Sequence, residues 1–361
     1  MEDSVNKTGE FYHKSFDIFR LIILLCAICF HYSLRISLEV TRYAFGFAVP
    51  AVFLVSGYLV SGRTEAFHGR IKRTLLRSGL AFVLLTVAYL IFSYIFSPES
   101  TLAEIQSKDF WVNFLVMGQW RLPPSVMLWY VQALFYSYFV LFILDKLNLL
   151  KFDLIIAGIL LVFSAFTGEF AGLINFNILG YKYISSNFIT IGLPFILIGG
   201  YLRRNKKFLF GIRRYVFDIV ALFGLLLTYV EYFVLSSANL LVYKNRYIGC
   251  AITALAVCGW FFKYGELSEP KGFTRLDRWD INTIFYVFPF INYIFSFYYG
   301  STTLILFLSF ILSFAGIPIR HLLNFLKTVV IWNIKSKKAY KAELKREAEE
   351  EAKNPPEAEQ E

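Results

Sequence analysis

The sequence has few cysteines, and their placement excludes two common uses of this residue. The four are Cys26, Cys29, Cys250 and Cys258, too few and too scattered for a disulfide framework. Cys26 and Cys29 have CxxC spacing, but they stand inside an apolar run with His31 rotated well away from both. Metal ligands must converge on one point, so no metal site is expected. Cys250 and Cys258 are expected to be small core residues.

The sequence also lacks an internal repeat, a cleavable signal and a soluble domain. Its first apolar run is interrupted by Arg20 and has no small-residue cleavage site, so we expect it to be a retained helix. The longest predicted outer loop, 97–125, is too short to fold alone.

The sequence is rich in hydrophobic residues. Hydrophobic residues make up 57% of 361 positions, with 40 Phe and 23 Tyr, whereas a soluble domain is about 45–50% apolar. A polytopic membrane protein is therefore predicted. A net charge of +10 would favour nucleic acid as the partner of a soluble chain. In a membrane protein, however, Lys and Arg residues mark the cytoplasmic loops. No nucleic acid partner is therefore expected.

The predicted fold class is an all-α bundle of about ten transmembrane helices, since one span needs about 20 mostly apolar residues. The predicted spans are 16–34, 43–62, 75–97, 126–148, 153–172, 186–202, 214–236, 246–264, 281–299 and 303–326. Residues 1–333 form the membrane domain. The charged segment 334–361 is expected to be a cytoplasmic tail, disordered or partly helical, because it cannot bury a core.

Basic residues in the loops predict the orientation. With a cytoplasmic N-terminus, seventeen Lys and Arg fall in cytoplasmic loops and seven in outer loops, as the positive-inside rule requires. Both termini are then cytoplasmic.

Arg20 and His31 are the most informative pair of residues. Only apolar residues and Cys separate them, so they lie on one membrane helix. Eleven positions bring His31 to within about 20° of the face of Arg20, roughly 16 Å along the axis. Ionisable groups inside a membrane indicate a functional site. Two structural alternatives remain: Arg20 pairs with Asp17 or reaches the interface, and His31 is a hydrogen-bonded packing residue.

Arg70 and Arg73 enter the third span from the cytoplasm. Residues three apart share a helix face, and guanidinium groups suit phosphate oxygens. A basic loop beside a span is also ordinary topology and lipid contact.

Several polar or aromatic residues lie at the depth of His31 or further out. Glu169, Glu231 and Asn187 are candidates to orient His31 or bind a polar acceptor, and each could equally face outer water. Trp129 is a substrate-binding candidate, although it and Tyr130 also suit an aromatic belt.

Together these residues resemble the acyltransferase-3 family of membrane acyltransferases. The matching motifs are Arg-x10-His at Arg20 and His31, Arg-x-x-Arg at 70–73, Phe-x-x-Ser-Gly-Tyr at 53–58, Leu-Trp-Tyr at 128–130 and, loosely, the Gly-Tyr helix at 193–201. The resemblance covers roughly residues 10–325. One departure is that many members carry a His shortly after a late Tyr, whereas Val287, Phe288 and Pro289 follow Tyr286 here.

The resemblance implies a multi-pass enzyme of the inner (plasma) membrane that moves an acyl group, usually acetyl, from cytoplasmic acyl-CoA to a carbohydrate hydroxyl. Acyl-CoA is then a donor substrate rather than a resident cofactor. We expect His31 and Arg20 to be catalytic and Arg70 and Arg73 to bind the donor. Trp129, Glu169 and Glu231 are acceptor-binding candidates.

Two other functions fit a polytopic chain. A transporter or flippase of a lipid-linked saccharide predicts no acyl-CoA binding and symmetric broken helices. A membrane sensor or scaffold predicts that the tail is essential and His31 dispensable.

Overall fold

A computed structural model describes residues 14–32, 43–61, 64–116, 118, 120–124, 128–168, 170, 187–240, 247–264, 278–298, 302–314, 316 and 318. Side chains are described except at 14–17, 32, 64–66, 278–282, 298 and 302–303. Most of these residues are helical, and no strand occurs among them. The predicted tail and the candidate Glu169 lie outside the described residues.

The described helices are numbered in chain order. Their bounds are α1 Lys14–Tyr32, α2 Ala48–Val60, α3 Thr64–Phe96, α4 Pro98–Gln106, α5 Lys108–Leu115, α6 Leu128–Lys146, α7 Asp153–Thr167, α8 Leu193–Arg204, α9 Lys206–Gly211, α10 Arg214–Ser237, α11 Ile248–Tyr264, α12 Arg278–Tyr298 and α13 Thr302–Ser313. A 3-10 turn, Leu149–Phe152, precedes α7, and a π-helical turn, Phe188–Gly192, precedes α8.

The all-helical membrane class is confirmed at a coarse level. Five described helical stretches, some of them longer or shorter than the helix that they contain, are long and apolar enough to cross a bilayer. They are Tyr43–Val60, Phe67–Phe96, Leu128–Lys146, Leu149–Thr167 and Arg214–Ser237. Shorter apolar helices are Ile18–His31, Ile248–Tyr264, Thr283–Phe297 and Leu304–Ser313. Each of the ten predicted spans contains a helix, but the count of ten spans and the orientation stay predictions.

Several boundaries differ from expectation because hydropathy marks a span rather than a helix. α3 begins eleven residues before the predicted span at 75, since its basic first turns contain no helix breaker. The predicted outer loop contains two short helices, α4 and α5. Pro98 stands in the first turn of α4 and Asp109 in the first turn of α5, and both residue types favour the start of a helix. α13 ends at Ser313, before Gly316 and Pro318.

Helix α2 lies at the centre of the bundle. All of its residues except Leu59 are buried. It runs in the same direction as α8, because Phe53 adjoins Gly192 and Ser61 adjoins Gly200. The two backbones touch: a Cβ on Gly57 would overlap the Ile196 carbonyl. Small residues are what permit such close helix contacts in membranes.

Two antiparallel pairs flank this centre. In the α10–α11 pair, Gly224 packs against Thr253 and Gly249 against Thr228. Both threonine hydroxyls donate to carbonyls of their own helix, at 2.9 Å, so neither helix leaves those groups unsatisfied in an apolar medium.

In the α3–α6 pair, His68 Nδ1 lies 2.7 Å from Asp145 Oδ2 near one end. Gly79 packs on Phe135 near the middle.

The outer faces of α3 and α10 are apolar and exposed. They include Leu80, Leu84, Ile95, Leu222 and Phe233, each about 60% exposed or more. Soluble monomers rarely leave patches of this extent open to water. These faces fit contact with lipid tails.

Candidate active site

Helix α1 carries both Arg20 and His31, as the spacing predicts. Its buried side, which includes Ile23, Leu24 and Ala27, packs into the main core. Near its start, Phe19 stacks on Phe261 of α11, with ring centroids 3.9 Å apart and an interplanar angle of 8°. This contact fixes the rotation of α1 next to Arg20.

The half-buried Arg20 faces α2 and α6 inside the bundle. It lines a small cleft with Val52 and Val55 of α2. Its guanidinium interacts electrostatically with Tyr130 of α6, and the Ser56 hydroxyl lies within hydrogen-bonding reach of the Tyr130 hydroxyl. Because Tyr130 is buried at 9% exposure, this cation belongs to the interior of the bundle.

His31 lies beside Trp129 of α6, the residue before Tyr130. Its ring centroid lies 6.2 Å from that of Trp129, in an edge-on arrangement with an interplanar angle of 69°. Phe53 of α2 lies 6.2 Å from Trp129 and 5.2 Å from Tyr130, measured between ring centroids. An aromatic wall of Phe53, Trp129 and Tyr130 therefore borders the imidazole.

The first turn of α6 therefore lies near the side chains of both predicted residues. Trp129 contacts His31, and its neighbour Tyr130 interacts with Arg20. An imidazole, a guanidinium and a phenol then border one interior region. An imidazole is suited to proton transfer, and a guanidinium is suited to anionic groups.

Helix α12 also borders this region. Phe285 packs edge-on against Tyr130, with ring centroids 5.4 Å apart, and Tyr286 interacts electrostatically with Tyr130. Helix α12 lacks the His that many family members carry after this tyrosine, but it still brings Tyr286 to the site. The sequence motifs include Ser56 and Tyr130, and Tyr286 is the late tyrosine noted with them. Residue spacing alone does not show that these three side chains lie close together.

The two arginines of the Arg-x-x-Arg motif occupy different environments. Arg70 is buried at 8% exposure. Arg73 is exposed, and its Nε donates to the Gly69 carbonyl at 3.2 Å. Their joint action on one phosphate therefore stays a prediction.

A further arginine was counted in the sequence only as a topology signal. The Arg203 guanidinium lies over the Tyr58 ring, 4.9 Å from its centroid, and Nη1 donates to the Tyr58 hydroxyl at 3.3 Å. Tyr58 also stacks on Phe262, with ring centroids 3.9 Å apart. By contrast, Arg204 pairs with the buried Asp153. Arg203 is thus held in a fixed position on α8, one turn after Gly199.

Two acceptor-binding candidates have structural contacts of their own. The Glu231 carboxylate accepts the backbone N–H of Gly249, at 3.1 Å, at the start of α11. Asn187 caps the π-helical turn, where its Oδ1 accepts the N–H groups of Ile189 and Thr190. These contacts favour a helix-capping role for both residues.

A larger cavity of about 220 Å³ lies elsewhere in the bundle, between α2, α7, α8 and α11. Its lining is mostly apolar, and among the described residues none of the predicted site residues borders it. The candidate site is therefore the region around Trp129 and Tyr130 rather than this cavity.

Comparison with curated proteins and with solved structures gave no match. A protein-family comparison did give one, to an acyltransferase domain over residues 13–319, a range that contains every predicted site residue. The match covers most of the 361 residues, and it agrees with the motifs that meet around α2, α6 and α8. The chain belongs to the acyltransferase-3 family.

Proposed function

We propose that this protein is a membrane-bound O-acyltransferase. It moves an acyl group, by default acetyl, from cytoplasmic acyl-CoA to a hydroxyl of a surface carbohydrate or of a lipid-linked glycan precursor. Family membership supports acyl transfer, and the apolar helices support a place in the membrane. The donor, the acceptor and the inner-membrane location are part of the proposal.

The observation that carries the proposal is that α1 turns both ionisable side chains into the bundle: the His31 ring lies edge-on to Trp129 of α6, and Arg20 lines a small cleft with Val52 and Val55 of α2. In the proposed orientation, ten helices cross the bilayer with both termini in the cytoplasm. Arg20 then lies toward the cytoplasmic side and His31 toward the outer side, roughly 16 Å apart along α1. The pantetheine arm of CoA is of comparable length, so in this proposal the thioester lies near His31.

The donor phosphates are proposed to stay at the cytoplasmic end. Arg20, Arg70 and Arg73 are the predicted cations there, and Arg203 adds one held on Tyr58. Guanidinium groups bind phosphate oxygens with paired, charge-assisted hydrogen bonds.

In the proposed reaction His31 is the general base. Its ring nitrogen takes the proton of the acceptor hydroxyl while that oxygen attacks the thioester carbonyl. The new C–O bond forms, the C–S bond breaks, and the CoA thiolate leaves and takes up the proton from the imidazolium. General base catalysis of this kind typically contributes on the order of 10²–10⁴ in rate.

The test supplies [14C]acetyl-CoA to membranes with and without the protein, followed by mass spectrometry of the surface glycans. The proposal predicts label in glycan hydroxyl esters only where the protein is present. Movement of a lipid-linked saccharide across the membrane without consumption of acetyl-CoA would contradict it and would favour the transporter alternative.

A further inference from the structure

The larger cavity of the bundle lies outside the candidate active site and has no role in the reaction proposed above. It is enclosed by the start of α2, the π-helical turn with the start of α8, the start of α11 and the C-terminal half of α7. The proposed orientation puts all four of these parts on the outer side of the membrane. The cavity measures about 220 Å³. A dry apolar cavity of about 150 Å³ takes up benzene, so this one has room for a larger apolar group.

The cavity extends along the helices. On α11 its lining runs from Ile248 to Leu255, a separation of about 10 Å along the helix axis. None of the lining residues that the structure describes carries a charge. This length and this lining fit a hydrocarbon chain that runs with the helices better than a compact polar ring.

The cavity reaches the surface of the bundle beside α11 and α7. Ile248 lines the cavity and is 40% exposed. On α7, the lining residue Ala165 is followed by Phe166, which is 46% exposed. These exposed apolar side chains belong to the kind of surface that fits lipid tails. A chain can therefore enter the cavity directly from the bilayer.

Helix α2 links the cavity to the surroundings of His31. Val49 lines the cavity, and Phe53, one turn later, has its ring centroid 6.2 Å from that of Trp129. The Trp129 ring centroid in turn lies 6.2 Å from that of the His31 ring. Ile191 lines the cavity as well, and the residue after it adjoins the Phe53 ring. The cavity is therefore near enough to the imidazole for one molecule to place its tail in the cavity and its head group near His31.

On the premise of the acyl transfer proposed above, we propose that this cavity holds the hydrocarbon tail of a lipid-linked glycan acceptor. Lipid tails are as apolar as the lining, so the cavity alone gives no preference over the bilayer. The preference comes from attachment, because a sugar bound near His31 keeps its own tail beside the cavity at a high effective concentration. A long acyl chain of the donor is disfavoured, since Phe53 and Trp129 stand between the cavity and His31. The acceptor is then the lipid-linked precursor rather than a glycan released from its lipid.

The experiment uses the full chain in phosphatidylcholine nanodiscs. The probes are dodecyl glycosides of glucose, galactose, N-acetylglucosamine and glucuronate, each with a diazirine at the end of its chain. After illumination, mass spectrometry of peptides locates the adducts. At least one glycoside is expected to label the cavity-lining segments of α7 and α11. A phosphatidylcholine probe with the same diazirine is expected to label these segments no more than the exposed faces of α3 and α10.

Two variants fill the cavity from different sides, Ala165→Leu on α7 and Ala251→Leu on α11. Each is expected to weaken the labelling and to raise the KM for the labelling glycoside about tenfold, which corresponds to about 1.4 kcal/mol. An unchanged KM for acetyl-CoA shows that the variant is folded. Gly158→Leu is the matched control, because it adds a side chain to α7 at an exposed position where a Cβ meets nothing within 4 Å. It should leave the labelling and both KM values unchanged.

The tail site is overturned if no glycoside labels the cavity, or if the phosphatidylcholine probe labels it as strongly as every glycoside. Displacement of the glycoside by palmitoyl-CoA also overturns it, since the cavity would then hold the donor chain. So does wild-type labelling with a wild-type glycoside KM in both Ala165→Leu and Ala251→Leu. Labelling needs no acetyl-CoA, so a protein that is labelled as expected but consumes no acetyl-CoA contradicts the acyltransferase function and not the tail site.

Discussion

At the scale of single residues, the account depends on His31. Its ring borders Trp129 and has an intermediate exposure inside the bundle. We expect His31→Ala to lower kcat by about 10²–10⁴-fold, the usual contribution of a general base. The KM for acyl-CoA should change little, because the donor phosphates are proposed to bind at the cytoplasmic end, away from His31. Steady-state acetyl transfer by the purified variant measures both constants.

His68→Ala is the matched control for this variant. His68 is another histidine of the bundle, but its side chain is 48% exposed and pairs with Asp145, far from Trp129 in the α3–α6 pair. It should keep the wild-type turnover. Wild-type turnover in both His31→Ala and His68→Ala would rule out His31 as the general base.

Arg203 gives a second residue-scale prediction. Its guanidinium is held over the Tyr58 ring. If it binds a donor phosphate, Arg203→Ala should raise the KM for acetyl-CoA by about 10- to 150-fold, since a charge-assisted bond contributes roughly 1.5–3 kcal/mol. Lys207→Ala removes one exposed positive charge from α9 nearby and should have little effect. Similar KM values for the two variants would show that only the general positive charge matters.

At the scale of helices, the α2–α8 contact is expected to limit stability. A Cβ on Gly57 would overlap the Ile196 backbone, whereas one on Gly158 of α7 meets nothing within 4 Å. Gly57→Ala should therefore lower the free energy of unfolding by about 1–3 kcal/mol or more, and Gly158→Ala should raise it slightly. Thermal unfolding in detergent measures both. A Gly57→Ala protein as stable as the wild type would show that the helices can separate without loss.

The same helices show what the sequence could and could not predict. Hydropathy located the apolar segments because burial in lipid requires long apolar runs. It missed α4 and α5, which are short and partly polar and form where a loop was expected. The motifs predicted Arg20 and His31 on one helix, but not that Trp129 and Tyr130 would meet them. Arg203 and Arg204 are adjacent and alike in sequence, and only their tertiary partners, Tyr58 and Asp153, distinguish them.

At the scale of the whole molecule, the proposed orientation can be tested directly. In a variant without the four native cysteines, Ser107→Cys places a thiol between α4 and α5, and Lys207→Cys places one on α9. A membrane-impermeant maleimide applied from outside should label position 107 and not position 207, in keeping with the positive-inside rule. The reverse pattern would put Arg203 on the outer side, away from cytoplasmic acyl-CoA.

The central claim is that acyl-CoA occupies one passage from the arginine end of the bundle to His31. It is tested most directly by an experimental structure of the protein with an acetyl-CoA analogue whose thioester is replaced by a non-cleavable ketone. The account predicts the diphosphate among Arg20, Arg70 and Arg203, and the ketone carbon near the His31 imidazole, with room between them for an acceptor hydroxyl. An analogue bound on the outer side, or with its ketone away from the imidazole, would contradict it.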